Sequence, residues 1–261
     1  MNGVNKGFTK HLKDGIVYYT VPAFEPYVSY FFCGDTSNSL SFKAVRGITD
    51  GQMQKSFQRL CSTAGLPYPA CTMTNIVHGT EITYVDESNM GSGVCSLEKL
   101  PSCDGLYTDK ENIPIATTHA DCMPIAFYDK AHNAGCVLHA GWRGILADIQ
   151  GKAVSLFKSK YNAAAEDLLF AIGPAINACC FEVGNDVAED FEKACGEKYI
   201  LNGEKKRIDL LKIVIDELTG LGIPACNITY DGRCTLCGGE LASYRRDGEK
   251  AGTMVQIMCL N

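Results

Sequence analysis

Histidine is scarce in this chain of 261 residues, five in all, and several other features are missing altogether: a long apolar run, a long run of one charge sign, an internal repeat, and a linker rich in Pro, Gly or Ser. Each shortage excludes something. A membrane-spanning helix needs about 20 consecutive apolar residues, and no segment supplies them. The net charge of -6 comes from 24 basic and 30 acidic residues, with no basic stripe carrying interleaved aromatics, so nucleic acid is not an expected partner. A small anion remains compatible, because a local positive site can exist on an acidic protein. Without a linker the expectation is one domain over residues 1–261. The first thirteen residues are polar and lack the apolar segment of a secretory leader, so the expected location is the cytoplasm.

Against these shortages stand fourteen cysteines. In a short secreted chain they would read as a disulfide framework. Here mostly reduced thiols are expected, as in a reducing compartment. Several lie in apolar contexts (Cys33, Cys136, Cys226, Cys259) and read as small core residues. Cys234 and Cys237 form a C-x-x-C, but no second C-x-x-C or H-x-x-x-H completes a structural zinc site, and Gly238-Gly239 argues against a redox motif opening a helix. The pair is therefore expected to lie in a turn. Residues 244–248 read as a charged turn before the last strand.

Strand-like runs rich in β-branched and aromatic residues cover 16–21, 27–33, 75–78, 81–85, 113–118, 123–128, 135–139, 168–172, 227–230 and 253–258. Helical spacing predicts a helix over 50–64, opened by a capping box at Thr49 and Gln52. A second apolar face runs through Ile145, Ile149, Ala153, Leu156 and Phe157. A third takes Val187, Phe191 and Cys195 after Asn185 as N-cap. A fourth, through Leu210, Leu211, Val214, Ile215 and Leu218, closes at Gly220 and Gly222. Interspersed strands and helices make the class mixed α/β or α+β. Residues 88–102 are the most loop-like, read either as a mobile loop near the site or as a surface excursion.

Three stretches carry the chemistry: Val77-His78-Gly79-Thr80, Thr118-His119-Ala120-Asp121-Cys122, and Leu138-His139-Ala140-Gly141-Trp142-Arg143-Gly144. Two histidines and a thiolate can hold zinc with its fourth position open, as catalytic zinc is held. A metal-dependent enzyme is thus the leading reading, although the spacings match no local zinc knuckle. Taken one by one, the residues leave alternatives. His78 is open to a structural role. Cys122 is a nucleophile, a zinc ligand or a core residue. Asp121 is a general base, a partner orienting a histidine, or a turn cap. The segment from His139 to Gly144 reads as a strand-to-helix turn whose helix start and Arg143 suit phosphate or carboxylate, or as a plain turn with a surface arginine. His11 and His132 sit among polar residues and read as surface groups.

Taken in order, these three motifs together with Ile172-Gly173-Pro174-Ala175-Ile176, Cys180-Phe181-Glu182-Val183-Gly184, Cys234-Thr235-Leu236-Cys237 and Ser243-Tyr244-Arg245-Arg246-Asp247-Gly248 resemble the bacterial laccase-domain proteins, also described as multicopper polyphenol oxidoreductase-like or YfiH/YlmD-like. The resemblance runs from about residue 27 to the C-terminus. It implies an α/β domain with mixed β-sheets layered between helices, like that of certain cysteine hydrolase toxins. It implies zinc on His78, Cys122 and His139, phosphorolysis of adenosine, inosine, guanosine and methylthioadenosine, and hydrolytic deamination of adenosine. Copper-dependent oxidation of phenols is the alternative in older descriptions, and five histidines, two of them peripheral, suit it poorly. The partners expected on this reading are purine nucleosides and inorganic phosphate, in a monomer or homodimer. Asp121 would shuttle protons, and Arg143 with Gly144 at the helix start would hold phosphate. His119 is either a partner orienting a ligand or a spectator.

The chain departs from the resemblance where members commonly carry Ser/Thr-Arg-x-Gly-Gly and then Ser-Leu-Asn. It reads Phe31-Phe32-Cys33-Gly34-Asp35 and Ser39-Leu40-Ser41 instead, without the arginine or the asparagine. Phosphate handling would then fall to Arg143 or Arg46. Two rival readings stay open: a metal-stabilised nucleotide-binding protein without turnover, and a thiol hydrolase with Cys122 as nucleophile and His139 as its base.

Overall fold

Apolar residues run nearly unbroken along most of the predicted strands, and the computed structural model, which describes residues 7–34, 40, 42, 51–96, 100 and 102–261, stacks those strands into two six-stranded sheets with a small third one beside them. The N-terminal half contains β1 (Thr9–Lys13), β2 (Ile16–Thr20), β3 (Val28–Cys33), α1 (Gly51–Ala64), β4 (Thr72–Met73), β5 (Ile82–Tyr84), β6 (Gly105–Thr108) and β7 (Ile115–His119). The middle contains β8 (Met123–Asp129), β9 (Ala134–Ala140), α2 (Trp142–Leu146), α3 (Ile149–Tyr161) and β10 (Leu168–Ile172). The remainder contains β11 (Glu182–Val183), α4 (Asn185–Cys195), β12 (Ile200–Leu201), β13 (Lys206–Ile208), α5 (Leu210–Gly220), β14 (Ile228–Tyr230), α6 (Thr235–Gly238), α7 (Tyr244–Asp247) and β15 (Met254–Leu260).

The first sheet has the order β1-β2-β3-β15-β7-β4 and the second β14-β10-β8-β9-β6-β5. Both are mixed: β4 lies parallel to β7, and β5 and β14 lie parallel to β6 and β10, while the other pairings are antiparallel. The two-residue period of a strand sorts the side chains between layers. On β10, Leu168, Phe170 and Ile172 face the helices, whereas Leu169 and Ala171 face the other sheet. On β15, Met254, Met258 and Leu260 pack between the sheets, and Val255 and Ile257 pack toward α1. The order of layers is therefore α1, first sheet, second sheet, then α3, α4 and α5, as the resemblance implied. Fully buried Phe127, Phe157 and Phe170 join the second sheet to α3, and each such side chain contributes about 1.5–3 kcal/mol by burial.

Several expectations are corrected. The apolar face from Ile145 to Phe157 is two helices, because Asp148 turns to φ 58° between them and caps α3 by accepting from Gly151 N at 2.9 Å. Asn185 is the first helical residue of α4, and Gly184 is the N-cap. Residues 75–78 form no strand; only Asn75 bridges, to Ser102. Cys226 is exposed, not a core residue, while Cys33, Cys136 and Cys259 are buried. The Cys234-x-x-Cys237 motif does open a short helix, α6, with Cys234 as its N-cap. Residues 244–247 form α7. Strands β1 and β6 went unrecognised because their sequences are too polar or too short to alternate visibly. The capping residue Thr49 and Asp50, the altered positions Asp35, Ser39 and Ser41, and Arg46 lie outside the described residues, as do parts of the loop-like 88–102. Among the described residues no helix is long and apolar enough to cross a membrane.

Candidate active site

The chain passes from the first sheet to the second between β7 and β8, and the short link Ala120-Asp121-Cys122 sets Cys122 at the shared end of both sheets. Two other segments end there. Strand β9 delivers His139, and the loop before β5 delivers His78. One ligand atom from each of His78, Cys122 and His139 lies within 4.8 Å of the others. The imidazole rings of His78 and His139 stand nearly perpendicular, 4.9 Å between centroids.

A fourth residue, absent from the sequence reading, organises the set. The buried Asp104 carboxylate accepts from His139 Nδ1 at 2.9 Å, which leaves Nε2 of that ring for a ligand. The same carboxylate accepts backbone N–H groups of Val77 at 3.3 Å, His78 at 2.9 Å and Gly79 at 2.7 Å. Its backbone carbonyl accepts from His139 N at 2.7 Å. The three N–H groups hold His78 at φ 61°, a left-handed conformation that a residue with a Cβ adopts only under constraint. Burial pushes the Asp104 carboxyl up, but the bonds from His139 and from the Gly79 and Val77 amides outweigh it and hold it below the usual carboxylate range. In sequence Asp104-Gly105 reads only as a turn dipeptide, so no local signal marks it.

Burial also pushes the Cys122 thiol up, yet hydrogen bonds with His139 and His78 bring it down to about 6. Burial pulls His139 down, and Asp104 with Cys122 raises it to about 9. Each group favours the charged form of the other, so the Cys122 thiol gives up its proton readily, as a metal ligand must. The donor set fits a tetrahedral zinc ion, being two imidazoles and one readily ionised thiol with room left for a fourth ligand. Gly141 makes the convergence feasible. A Cβ there would stand 3.2 Å from His78 Cδ2 and 3.3 Å from Cys122 Sγ, inside the cradle that the three ligands form.

His119, at the end of β7, is buried with its ring 5.4 Å from that of His139. Its Nε2 meets Thr117 Oγ1 at 2.8 Å, and Thr117 in turn accepts from Gln256 Nε2 at 2.8 Å. Burial, aided by the charge on His139, keeps it well below the ordinary histidine range and hence neutral. Its Nδ1 has no hydrogen-bond partner among the described residues.

These groups form one end of a cavity of about 530 Å³, well within the ~300–1,000 Å³ usual for small-ligand sites. Ile76, Ile176, Leu210, Trp142, Phe181 and Tyr244 give it apolar and aromatic walls, and Arg245 stands at its rim. Tyr244 and Arg245, read from the residues as a charged turn and counted among the motifs of the resemblance, were not named as site residues. Asp121 lines the cavity with φ 78°, but its carboxylate is already engaged, accepting from Thr235 Oγ1 and from Arg245 N, each at 2.6 Å. Two expected phosphate contacts lie elsewhere. Arg143 is exposed with its guanidinium 4.1 Å over the Trp142 ring. Gly144 is buried, with space for a Cβ only 3.1 Å from Gly79 O. Neither lines the cavity. The helix after His139 has five residues, so the long helix does not start at that turn and no extended helix end faces an anion there. His11 bonds to Thr20 and His132 to Asp129, both away from the site.

Comparison with known proteins places the chain in a family and a fold. Residues 36–261 match a family model described as multi-copper polyphenol oxidoreductase laccase. The chain is 33% identical over 210 residues to the purine nucleoside phosphorylase YlmD of Geobacillus stearothermophilus, covering 77% of this chain and 76% of that protein. It is 30% identical over 237 residues to the adenosine deaminase RL5 of an unknown prokaryotic organism, covering 81% of this chain and 90% of that protein. The crystal structure of YlmD from Geobacillus stearothermophilus superposes with a TM-score of 0.88 at 25% identity, over 97% of this chain and 98% of that one.

Proposed function

The chain belongs to the family described as multi-copper polyphenol oxidoreductase laccase, and on that premise we propose that it is a zinc-dependent purine nucleoside phosphorylase that also deaminates adenosine. The observation that carries the reading is the meeting of His78, Cys122 and His139 at the end of an aromatic-walled cavity of nucleoside scale. The names of the relatives supply the substrate class. Oxidation through several coppers is the poorer fit. Of the five histidines only His78, His119 and His139 approach the site, and two imidazoles with one thiolate make a complete open set for a single ion.

Zinc held by those three residues supplies Lewis acidity, which polarises an electrophile and makes water a stronger acid. The protein groups do the rest. Asp104 holds His139 in one tautomer and fixes the loop bearing His78. Trp142, Phe181 and Tyr244 offer faces on which a purine stacks and from which water is excluded. In phosphorolysis a phosphate oxygen bonds to the anomeric carbon while the C–N bond breaks and its electron pair leaves with the base. Arg245, the guanidinium at the cavity rim, takes the phosphate-binding role that Arg143 and Gly144 were expected to fill. In deamination water adds to the purine carbon bearing the amine, and ammonia leaves. Asp121 serves either as proton shuttle or as anchor of the segments carrying Thr235 and Arg245. Neutral His119 belongs to the same lining, with its unpartnered Nδ1 buried behind the surface.

The test is turnover of adenosine by purified protein with and without inorganic phosphate, the products separated by chromatography. Adenine is expected only with phosphate, and inosine regardless of phosphate. Chelation is expected to abolish both, with zinc restoring them, and His78→Ala to abolish both beyond rescue. Absence of product from adenosine, inosine, guanosine and methylthioadenosine in zinc-replete protein would sink the reading.

A further inference from the structure

A second cluster of metal-capable side chains lies outside this site. Cys179 and Cys180, in the turn after β10, and Cys234 and Cys237, at the two ends of the C-x-x-C motif, bring four Sγ atoms within 4.8 Å of one another. All four are free thiols. The sequence offered Cys234-x-x-Cys237 without a second pair. The fold supplies that pair from more than 50 residues away as two adjacent cysteines, a spacing that no zinc-knuckle pattern includes.

We propose that Cys179, Cys180, Cys234 and Cys237 bind a second zinc ion, with a structural role, that fastens the turn after β10 to the segment carrying α6 and α7. Geometry is the first support. A tetrahedral Zn–S distance of about 2.3 Å places ligand sulfurs about 3.8 Å apart, and Cys179 Sγ stands 3.6 Å from Cys237 Sγ. Only small shifts gather the other pairs. A disulfide needs an S–S distance of about 2.05 Å, far shorter than the 3.6 Å between Cys179 and Cys237 Sγ.

The backbone hydrogen bonds hold the two cysteine pairs together. Residues Ala175 and Cys234 form a parallel bridge, and Thr235 N donates to Ala175 O at 3.1 Å. Cys180 N and Phe181 N both donate to Asn177 O at 2.8 Å, folding the cysteine pair back toward the motif. Asn177 N donates to Cys234 Sγ at 3.5 Å, a contact that favours a thiolate. Binding releases the thiol protons to solvent and leaves a zinc tetrathiolate of net charge -2. One guanidinium lies near to offset it, Arg207, which donates to Cys179 O at 3.2 Å; Arg246 donates to Thr235 O at 3.1 Å but is already paired with Asp247 at 2.8 Å. Cys179 and Cys237 are exposed, so an ion can enter from solvent.

The ion would act on the neighbouring cavity by bracing its wall. Thr235, inside the C-x-x-C, holds the Asp121 carboxylate beside Cys122, and Phe181 follows the cysteine pair directly into the cavity lining. All four sulfurs belong to this brace and none to the three-ligand set, so the inference stands independently of the nucleoside reading.

The experiment is zinc stoichiometry and zinc-edge X-ray absorption on protein purified anaerobically from zinc-supplemented cells. Two zinc ions per chain are expected. His78→Ala is expected to keep one, with a shell of sulfur alone. Cys237→Ser and Cys179→Ser, both at exposed positions, are expected to keep one, with nitrogen in its shell. A single zinc that Cys237→Ser retains and His78→Ala loses would overturn the proposal, as would a Cys179–Cys237 disulfide in the anaerobic protein or iron in place of the second zinc. Should the serine variants fail to fold, the wild-type stoichiometry and the His78→Ala shell still decide the matter.

Discussion

Asp104 concentrates more of the site's geometry than any ligand does. One buried carboxylate receives a ring N–H from His139 and three backbone N–H groups from the loop of His78. An amide of the same shape keeps the volume but turns an NH2 toward donors that need an acceptor. Asp104→Asn is therefore expected to weaken zinc binding at the three-ligand site about 10–100-fold, the range for residues that orient a metal-bound histidine. Competition against a chromophoric chelator reads the change, and an affinity equal to wild type would remove Asp104 from its organising role. Gly141 works at the same scale by absence. Its missing Cβ is the space in which two of the three ligands meet.

Among the elements, the packing of α5 on α3 contains one costly group. Glu217 of α5 is partly buried and bonds to the Gln150 amide of α3, whose Oε1 has no partner among the described residues. Burial pushes the Glu217 carboxyl from its ordinary 4.5 up to about 7. Below about pH 4.5 it is protonated in both folded and unfolded chains, and its contribution to stability is fully present. As pH rises toward 7 the unfolded chain loses the proton first, so that contribution is lost across pH 4.5–7 and stays lost above. Glu217→Gln cannot ionise and offers Gln150 Oε1 a donor. The variant is expected to melt higher than wild type at pH 8 with a much smaller gap at pH 5, and thermal melts across that interval check it. A gap independent of pH would assign the gain to packing instead.

At the scale of the molecule, Gln256 joins the two sheets. From β15 of the first sheet its amide donates to Leu138 O at 3.0 Å and Ile125 O at 3.3 Å in the second, while Tyr30 donates to its Oε1 at 3.2 Å. It also donates to Thr117, which holds His119, so the link between sheets continues into the site. Gln256→Met keeps the length and strands the buried Tyr30 hydroxyl. A loss of about 1–3 kcal/mol in urea unfolding is expected, as for a buried polar group left without a partner. A variant as stable as wild type would mean that methionine packing makes up for the lost network.

The residue order by itself determined which apolar runs are strands, which helices have one apolar face, and which short motifs bear imidazole and thiol. Those are properties of side chains within a few positions of one another, and periodicity reads them directly. His78, Cys122 and His139 were legible for the same reason, since each stands beside small residues at the end of an apolar run. Only the tertiary structure decided which distant groups meet them. Asp104 lies 35 residues from His139, Arg245 lies 124 from Asp121, and the two cysteine pairs are separated by more than fifty positions. A lone buried carboxylate, an arginine in a short turn and two adjacent cysteines have no local pattern. Their meaning comes from the crossing between sheets and the turn after β10, where burial and hydrogen bonding act between segments that the sequence keeps apart.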